Sequence, residues 1–320
     1  MAVRVRRAEK RDIPAIVEVN CSDVERWYHF TPRGRAEPAS YEELSSWERV
    51  MHGGPWMDEA ALSDYWRRME RLGVIPLVAE LEGKVVGHLD VIFCKDPVLG
   101  EYLYLDVLMV HKSYRRRGVA RALINAAEDL AKDRGFRKLV VQPEDYEGPS
   151  GLTYRSLGFR REWEVAVLSL TPKNGAEKNE AKVQSISPDE ERPVEAFPMV
   201  CGWYVVSAKM WDYAVHPRGT LYTAIPLHSL VFKVLINSEA FYIHIGEKLF
   251  ANGVGLLCLW APQNFTEEGL RRVVGTAEAL ASAIGLKKLE TRTLDMFVEV
   301  LGKLGFRREG FTEPFMVKEL

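Results

Sequence analysis

The stretch that decides the fold is Tyr102–Ala131, YLYLDVLMVHKSYRRRGVARALINAAEDLA. Tyr102–Val110 is apolar and aromatic with one carboxylate and reads as a buried strand, on which Tyr104, Asp106, Leu108 and Val110 share one face. After a short connection, Arg115-Arg116-Arg117-Gly118-Val119-Ala120 leads into an amphipathic helix spanning Ala120–Arg134, with Gly135 as its stop. The first amides of such a helix lack intrahelical acceptors, and the macrodipole places about half a positive charge there. Gly118 and Ala120 carry little bulk, so phosphates could approach the backbone, and three arginines add positive charge. The expected guest is a diphosphate; the alternative is a solvated basic turn capping a surface helix. No GxxxxGK[ST] is present and no GxGxxG follows a first strand, which argues against P-loop nucleotide and dinucleotide sites.

Working outward, 320 residues suit two domains of about 150 residues better than one. The composition, 47% hydrophobic and 28% charged, is that of a folded globular chain. No apolar run reaches the roughly 18 residues of a membrane span, and no signal peptide is visible at the N-terminus. A net charge of −2 gives no pull toward nucleic acid or anionic membrane. Cys21, Cys94, Cys201 and Cys258 are widely spaced and read as reduced thiols of a cytoplasmic protein. The seven histidines form no pair with metal-ligand spacing, so no metal is expected.

The chain repeats itself. Residues 126–142, AAEDLAKDRGFRKLVVQ, and 276–292, TAEALASAIGLKKLETR, agree at seven of seventeen positions at an offset of 150. LGFRRE occurs at Leu157–Glu162 and again at Leu304–Glu309. Between the copies, residues 171–182 (TPKNGAEKNEAK) have linker composition. The expected domains are therefore 1–170 and 183–320. In the first, strands are expected at Val3–Arg7, Pro76–Leu81, Lys84–Phe93, Tyr102–Val110, Lys138–Gln142 and Glu164–Leu170. A helix capped by Asp12 follows the first strand, residues 22–70 read as helical and aromatic-rich, and a short helix ends at Gly158. The order predicts a mixed α/β (α+β) domain, duplicated, with helices flanking a central sheet.

Arg115-x-x-Gly118-x-Ala120 resembles the acyl-CoA loop of the GNAT acetyltransferase superfamily. Three further landmarks fall in that family's order: Arg11-Asp12-Ile13-Pro14, Glu82–Gly87 (EGKVVG) and Tyr154-Arg155-Ser156-Leu157-Gly158-Phe159. The resemblance covers nearly all of the first copy and, through the repeat, the sheet-and-helix part of the second. It implies acetyl-CoA as co-substrate, held by the backbone of Leu108, Met109 and Val110 and by the turn Arg115, Arg116, Arg117, Gly118, Val119 and Ala120. It further implies direct attack of an amine on the thioester, with Tyr154 as general acid to the departing thiolate. Tyr154 as a packing aromatic is the other reading. Asp106, a carboxylate in an apolar strand, is the candidate base or ammonium-orienting group, or else a carboxylate bonded to a neighbouring strand or loop. The family's Asn about seven residues before the tyrosine is here Glu147, which puts cofactor contacts from that loop in question.

At the same offsets the second copy has Phe265-Thr266-Glu267-Glu268-Gly269-Leu270 for the basic turn, Leu256 for Asp106 and Leu301 for Tyr154. It reads as a degenerate copy in which carboxylates would repel a diphosphate. Its aromatic group Trp203, Tyr204, Trp211 and Tyr213 reads mainly as core, and a structural or acceptor-binding role is open. The insertion at 22–70 holds Trp27, Trp47, Trp56 and Trp66 beside Asp23, Glu25, Glu42, Glu43, Asp58 and Asp64, which suits a cationic amine or a packing layer with solvated charges. The expected acceptor is a small-molecule amine. A protein amine and a non-catalytic acyl-CoA sensor are the alternatives, and oligomeric state stays open.

Overall fold

The computed structural model describes residues 2–31, 34–173, 181–186, 197–202, 207–215, 229–248 and 251–320. The first strand, β1 (Arg4–Arg7), leads into α1 (Ile13–Cys21). Asp12 does not cap α1 with its side chain. Its carboxylate instead accepts two bonds from Arg6, at 2.7 and 2.8 Å, and one from the Glu9 amide at 2.7 Å.

Residues 22–70 correct the helical expectation. They open with a two-stranded ribbon, β2 (Trp27–Thr31) and β3 (Gly34–Ala39), before the helices α2 (Ser46–Val50) and α3 (Glu59–Met69). The run WYHFT favours extended backbone because its aromatic and β-branched side chains fit a pleated surface. Ser45 and Asp58 then start α2 and α3, each accepting a bond from the N3 amide.

The chain continues through β4 (Ile75–Leu81), β5 (Lys84–Asp96), β6 (Gly100–Val110), α4 (Val119–Asp133), β7 (Lys138–Val141), α5 (Pro149–Ser156) and β8 (Arg160–Leu170). Glu82 and Gly83 both have positive φ, the primed turn that matches strand twist in a two-residue hairpin. The second half holds β9 (Lys182–Ser185), β10 (Met199–Cys201), α6 (Ser207–Val215), β11 (Ser229–Ile236), β12 (Glu239–Glu247), β13 (Val254–Trp260), α7 (Glu267–Ala283), β14 (Lys288–Leu294), α8 (Asp295–Lys303) and β15 (Arg307–Glu319).

Two compact units result, and they depart from the sequence repeats at the repeat ends. The first comprises residues 1–95, 101–161 and 316–320, the second 96–100 and 162–315. In the first, the sheet runs β1-β4-β5-β6-β7 and is completed by the chain's last residues, Met316–Glu319, antiparallel to β7. In the second, β14 pairs on one side with β13 in parallel and on the other with Val165–Leu170 of β8, antiparallel. The sheet then continues through β12 and β11 to β9, with β10 also on β13.

In the first unit one sheet face, with Leu77, Ala79, Leu89, Val91, Leu103 and Leu105, is buried with Leu123, Ile124, Ala127 and Ala131 of α4. Each fully buried leucine there contributes roughly 1.5–3 kcal/mol over exposure. Alternation turns Val78, His88, Asp90, Tyr104 and Asp106 to the opposite face, on the side of α3. That second face carries the polar groups.

Candidate active site

Strand β6 outruns its parallel partner. The β6–β7 register runs from Leu103↔Leu139 to Leu105↔Val141 and stops, while β6 goes on to Val110. Main-chain groups of Leu108 and Met109 therefore lie beyond the reach of β7, and Val110 precedes the basic turn. Here Arg116 has φ 63° and Gly118 has φ 82°, so the chain reverses tightly into α4. Gly118 is the N-cap and supplies no side chain to the first-turn amides. A Cβ built on it meets nothing within 4 Å. The helix start is uncapped, with Val119 buried below it and Gly118 exposed above.

The arginines divide. The Arg115 Nε donates to the Val110 carbonyl at 3.1 Å, and its guanidinium also pairs with Asp23. That residue shapes the turn. Arg117 lies over the Tyr114 ring, 5.2 Å from its centroid, and Arg116 is exposed. These two present charge to solvent at the start of α4.

Tyr154 sits on α5, buried, its ring edge-on to Phe159 at 5.3 Å. Burial pushes its phenol above the ordinary range, so it remains protonated at neutral pH. Its hydroxyl has no hydrogen-bond partner among the described residues. Asp106 is half-buried and accepts a hydrogen bond from the Tyr65 hydroxyl of α3 at 3.2 Å. Tyr104, two residues away on the same strand face, is driven well above its usual value by burial first, then by the charge of Asp106 and the proximity of Tyr154. The Tyr104 hydroxyl thus lies within electrostatic range of both groups singled out from the sequence. Tyr65 and Tyr104 were missed as site residues; the only signal was that Tyr104 shares the Asp106 face.

The loop before α5 is held by Asp145, which takes the Glu147 amide at 3.0 Å, and by Ser150, which donates to the Asp145 carbonyl at 2.9 Å. Glu147 is exposed and accepts from Arg155 at 3.3 Å. It takes the family asparagine's place without entering the Tyr154 environment.

The aromatic insertion is occupied by the protein's own cations. Arg49 covers the Tyr41 ring at 4.1 Å and Arg35 the Tyr28 ring at 5.4 Å. Asp23 pairs with Arg115, Asp58 with Arg49, and Asp64 with Arg67 and Arg68. Glu43 closes a capping box with Ser40, leaving Glu25 and Glu42 exposed. Trp27, Tyr41 and His52 form an edge-packed group. Trp56 and Tyr65 turn inward, toward the polar sheet face.

In the second unit the corresponding parts differ. The register Gly255↔Leu289 against Leu103↔Leu139 aligns Asp106 with Cys258 rather than Leu256, because the strands are offset differently from the helices. Cys258 is fully buried. α7 begins after a shorter turn, Ala261–Thr266, and the Thr266 hydroxyl caps it by accepting the Gly269 amide at 2.9 Å, with Glu267 and Glu268 in the first turn. Leu301 fills the Tyr154 position in the core. Of the aromatic group, Trp203 and Tyr204, and the Tyr213 side chain, lie outside the described residues. Trp211 is buried, edge-on to Trp260 and Tyr242.

Among the described residues no helix is long and apolar enough to cross a membrane. Residues 41–159 match the sequence model of the Acetyltransferase (GNAT) family. Human N-acetyltransferase 8 is 34% identical over 85 residues, which are 26% of this chain and 37% of that protein. Human N-acetyltransferase 8B is 35% identical over the same shares. The chain thus spans well under half of these relatives' length. Over 99% of its own length it superposes on a GCN5-related N-acetyltransferase from Anabaena variabilis, with TM-score 0.65, 10% identity and 73% of that chain covered. A GCN5-related N-acetyltransferase from Kribbella flavida gives TM-score 0.62 at 12% identity, covering 100% of this chain and 71% of that one. Those two likenesses concern the fold; the family-model match overlies β4–β7, the basic turn, α4 and α5, where three of the four motifs stand, and leaves out Arg11–Pro14. Residues 41–159 thus form a domain of the Acetyltransferase (GNAT) family.

Proposed function

We propose that the first unit transfers an acetyl group from acetyl-CoA to a primary amine of a small molecule. In this reading the diphosphate lies at the turn Arg115–Ala120, where Arg116, Arg117 and the first amides of α4 meet it. The pantetheine arm follows the main chain of Leu108, Met109 and Val110. The amine nitrogen attacks the thioester carbonyl carbon and its proton passes to the Asp106 carboxylate. As the carbon–sulfur bond breaks, the thiolate takes the phenolic proton of Tyr154, and solvent later returns the proton from Asp106. The observation that carries the reading is the uncapped start of α4 at the end of a strand that outruns its neighbour, with a protonated, unpartnered phenol and a half-buried carboxylate both within electrostatic reach of Tyr104.

A small acceptor is favoured because Tyr65 of α3 and Trp56, in the turn before it, are both buried and bond to Asp106 and Asp90 on the polar sheet face. The second repeat, read as residues 183–320, takes no CoA in this way: its helix is capped by Thr266 and opens with two carboxylates. All four cysteines are free, which suits a reducing cytoplasm. Calorimetry with acetyl-CoA, followed by thiol release against a panel of small amines and lysine peptides, tests the reading. Binding with amine-dependent thiol release supports it. Binding without release from any amine would leave a sensor, and no binding would remove acetyl-CoA altogether.

A further inference from the structure

Behind the Tyr65–Asp106 bond lies a second polar pair that the reaction as drawn does not use. His88 and Asp90 sit on β5, both fully buried, at the register positions of Val78 and Pro76 and therefore on the face turned away from α4. Asp90 accepts from the Trp56 indole N–H through Oδ2 at 3.0 Å, and Oδ1 lies 3.0 Å from the His88 Nε2. With Nε2 donating, the His88 Nδ1 is an acceptor, and it has no hydrogen-bond partner among the described residues. The Trp56 ring meets the Tyr65 ring edge-on, at 5.0 Å and 63°. Tyr65 then holds Asp106. A continuous path of contacts thus joins a buried imidazole–carboxylate pair to the candidate base.

Packing does not explain the pair. Two apolar side chains of similar volume would fill the same space without desolvating a carboxylate. What the carboxylate adds is direction: it fixes the rotation of the Trp56 indole, whose edge fixes the Tyr65 ring, whose hydroxyl aims at one oxygen of Asp106. We infer that Asp90, braced by His88, is a positioning residue for Asp106, acting through Trp56 and Tyr65. The inference rests on the proposed role of Asp106.

The test is a double-mutant cycle on full-length protein, using acetyl-CoA and whichever amine gives the fastest wild-type thiol release. Asp90→Asn and Tyr65→Phe are each expected to lower kcat about tenfold, with KM for acetyl-CoA unchanged, because they misplace a reacting group and leave the cofactor turn alone. The Tyr65→Phe/Asp90→Asn double variant is expected within about twofold of Tyr65→Phe alone, since both act through one contact. Trp56→Phe keeps an aromatic ring and removes the N–H, and it carries the test if Asp90→Asn does not fold. Effects that multiply in the double variant, or a rise in KM with kcat unchanged, would overturn the positioning role while leaving the transferase reading intact. A wild-type protein that releases no thiol with any amine would remove the transferase reading and this role with it.

Discussion

Replacing Tyr154 with Phe isolates proton donation from packing. The ring is 7% exposed and lies against Phe159, and its burial and that contact survive the change. The hydroxyl has no hydrogen-bond partner among the described residues, so its loss leaves no buried donor or acceptor stranded. Stability should therefore change by less than about 1 kcal/mol, since that penalty comes from orphaned partners. Calorimetric affinity for acetyl-CoA should also hold. Turnover should not: removing a general acid lowers kcat by about 10²–10⁴. Because burial pushes the phenol up, wild-type kcat should not fall through Tyr154 ionisation as pH rises through 9 to 10. The assay is thiol release under saturating acetyl-CoA over that pH range, alongside thermal unfolding of both proteins. A Phe variant retaining more than about a third of wild-type kcat, well outside the general-acid range, would refute the assignment and leave Tyr154 a packing aromatic.

Gly118→Ala places a Cβ in open space at positive φ, so the fold should lose only about 1–2 kcal/mol from the left-handed backbone. CoA affinity measured by calorimetry should fall on the order of tenfold, about 1.4 kcal/mol, as the methyl meets the diphosphate. Gly151→Ala would set a Cβ 1.9 Å from the Tyr146 carbonyl oxygen, so the loop before α5 must move. A loss of about 1–3 kcal/mol in thermal or urea unfolding, with reduced kcat, is expected from the displaced Tyr154 helix. In the second unit, burial pushes His244 down to about 4, so it stays neutral when folded while the unfolded chain takes up a proton below about 6.5. Stability should therefore fall as pH drops from about 6.5 to 4, by on the order of 3 kcal/mol for this residue. Urea unfolding across that range should show the slope, and His244→Gln should flatten it.

Arg115–Ala120 could be read because a helix start, a glycine and a charge cluster are local in sequence, and local backbone chemistry produced the turn. Asp106 was visible as a carboxylate in an apolar strand. The residue that holds it, Tyr65, was one aromatic among many, because a hydrogen bond between residues 41 positions apart leaves no periodic trace. The insertion reads as helical from sequence because its aromatic content hides the ribbon at Trp27–Ala39. Its carboxylates looked free for an amine because sequence does not show which arginine folds back on which aspartate.

The amino-acid order by itself carried the internal repeat, the GNAT resemblance of its first copy and the chemical difference between the copies, since these rest on residue types at fixed spacings. Tertiary structure alone decided which strand completes which sheet: both copies carry LGFRRE, yet Val165–Leu170 pairs with β14 and Met316–Glu319 with β7. It also decided that Cys258, not Leu256, stands where Asp106 does. The physical reason is the same in both cases. Strand register and partner choice are settled by main-chain hydrogen bonds between distant segments, and main-chain groups are identical in every residue but proline.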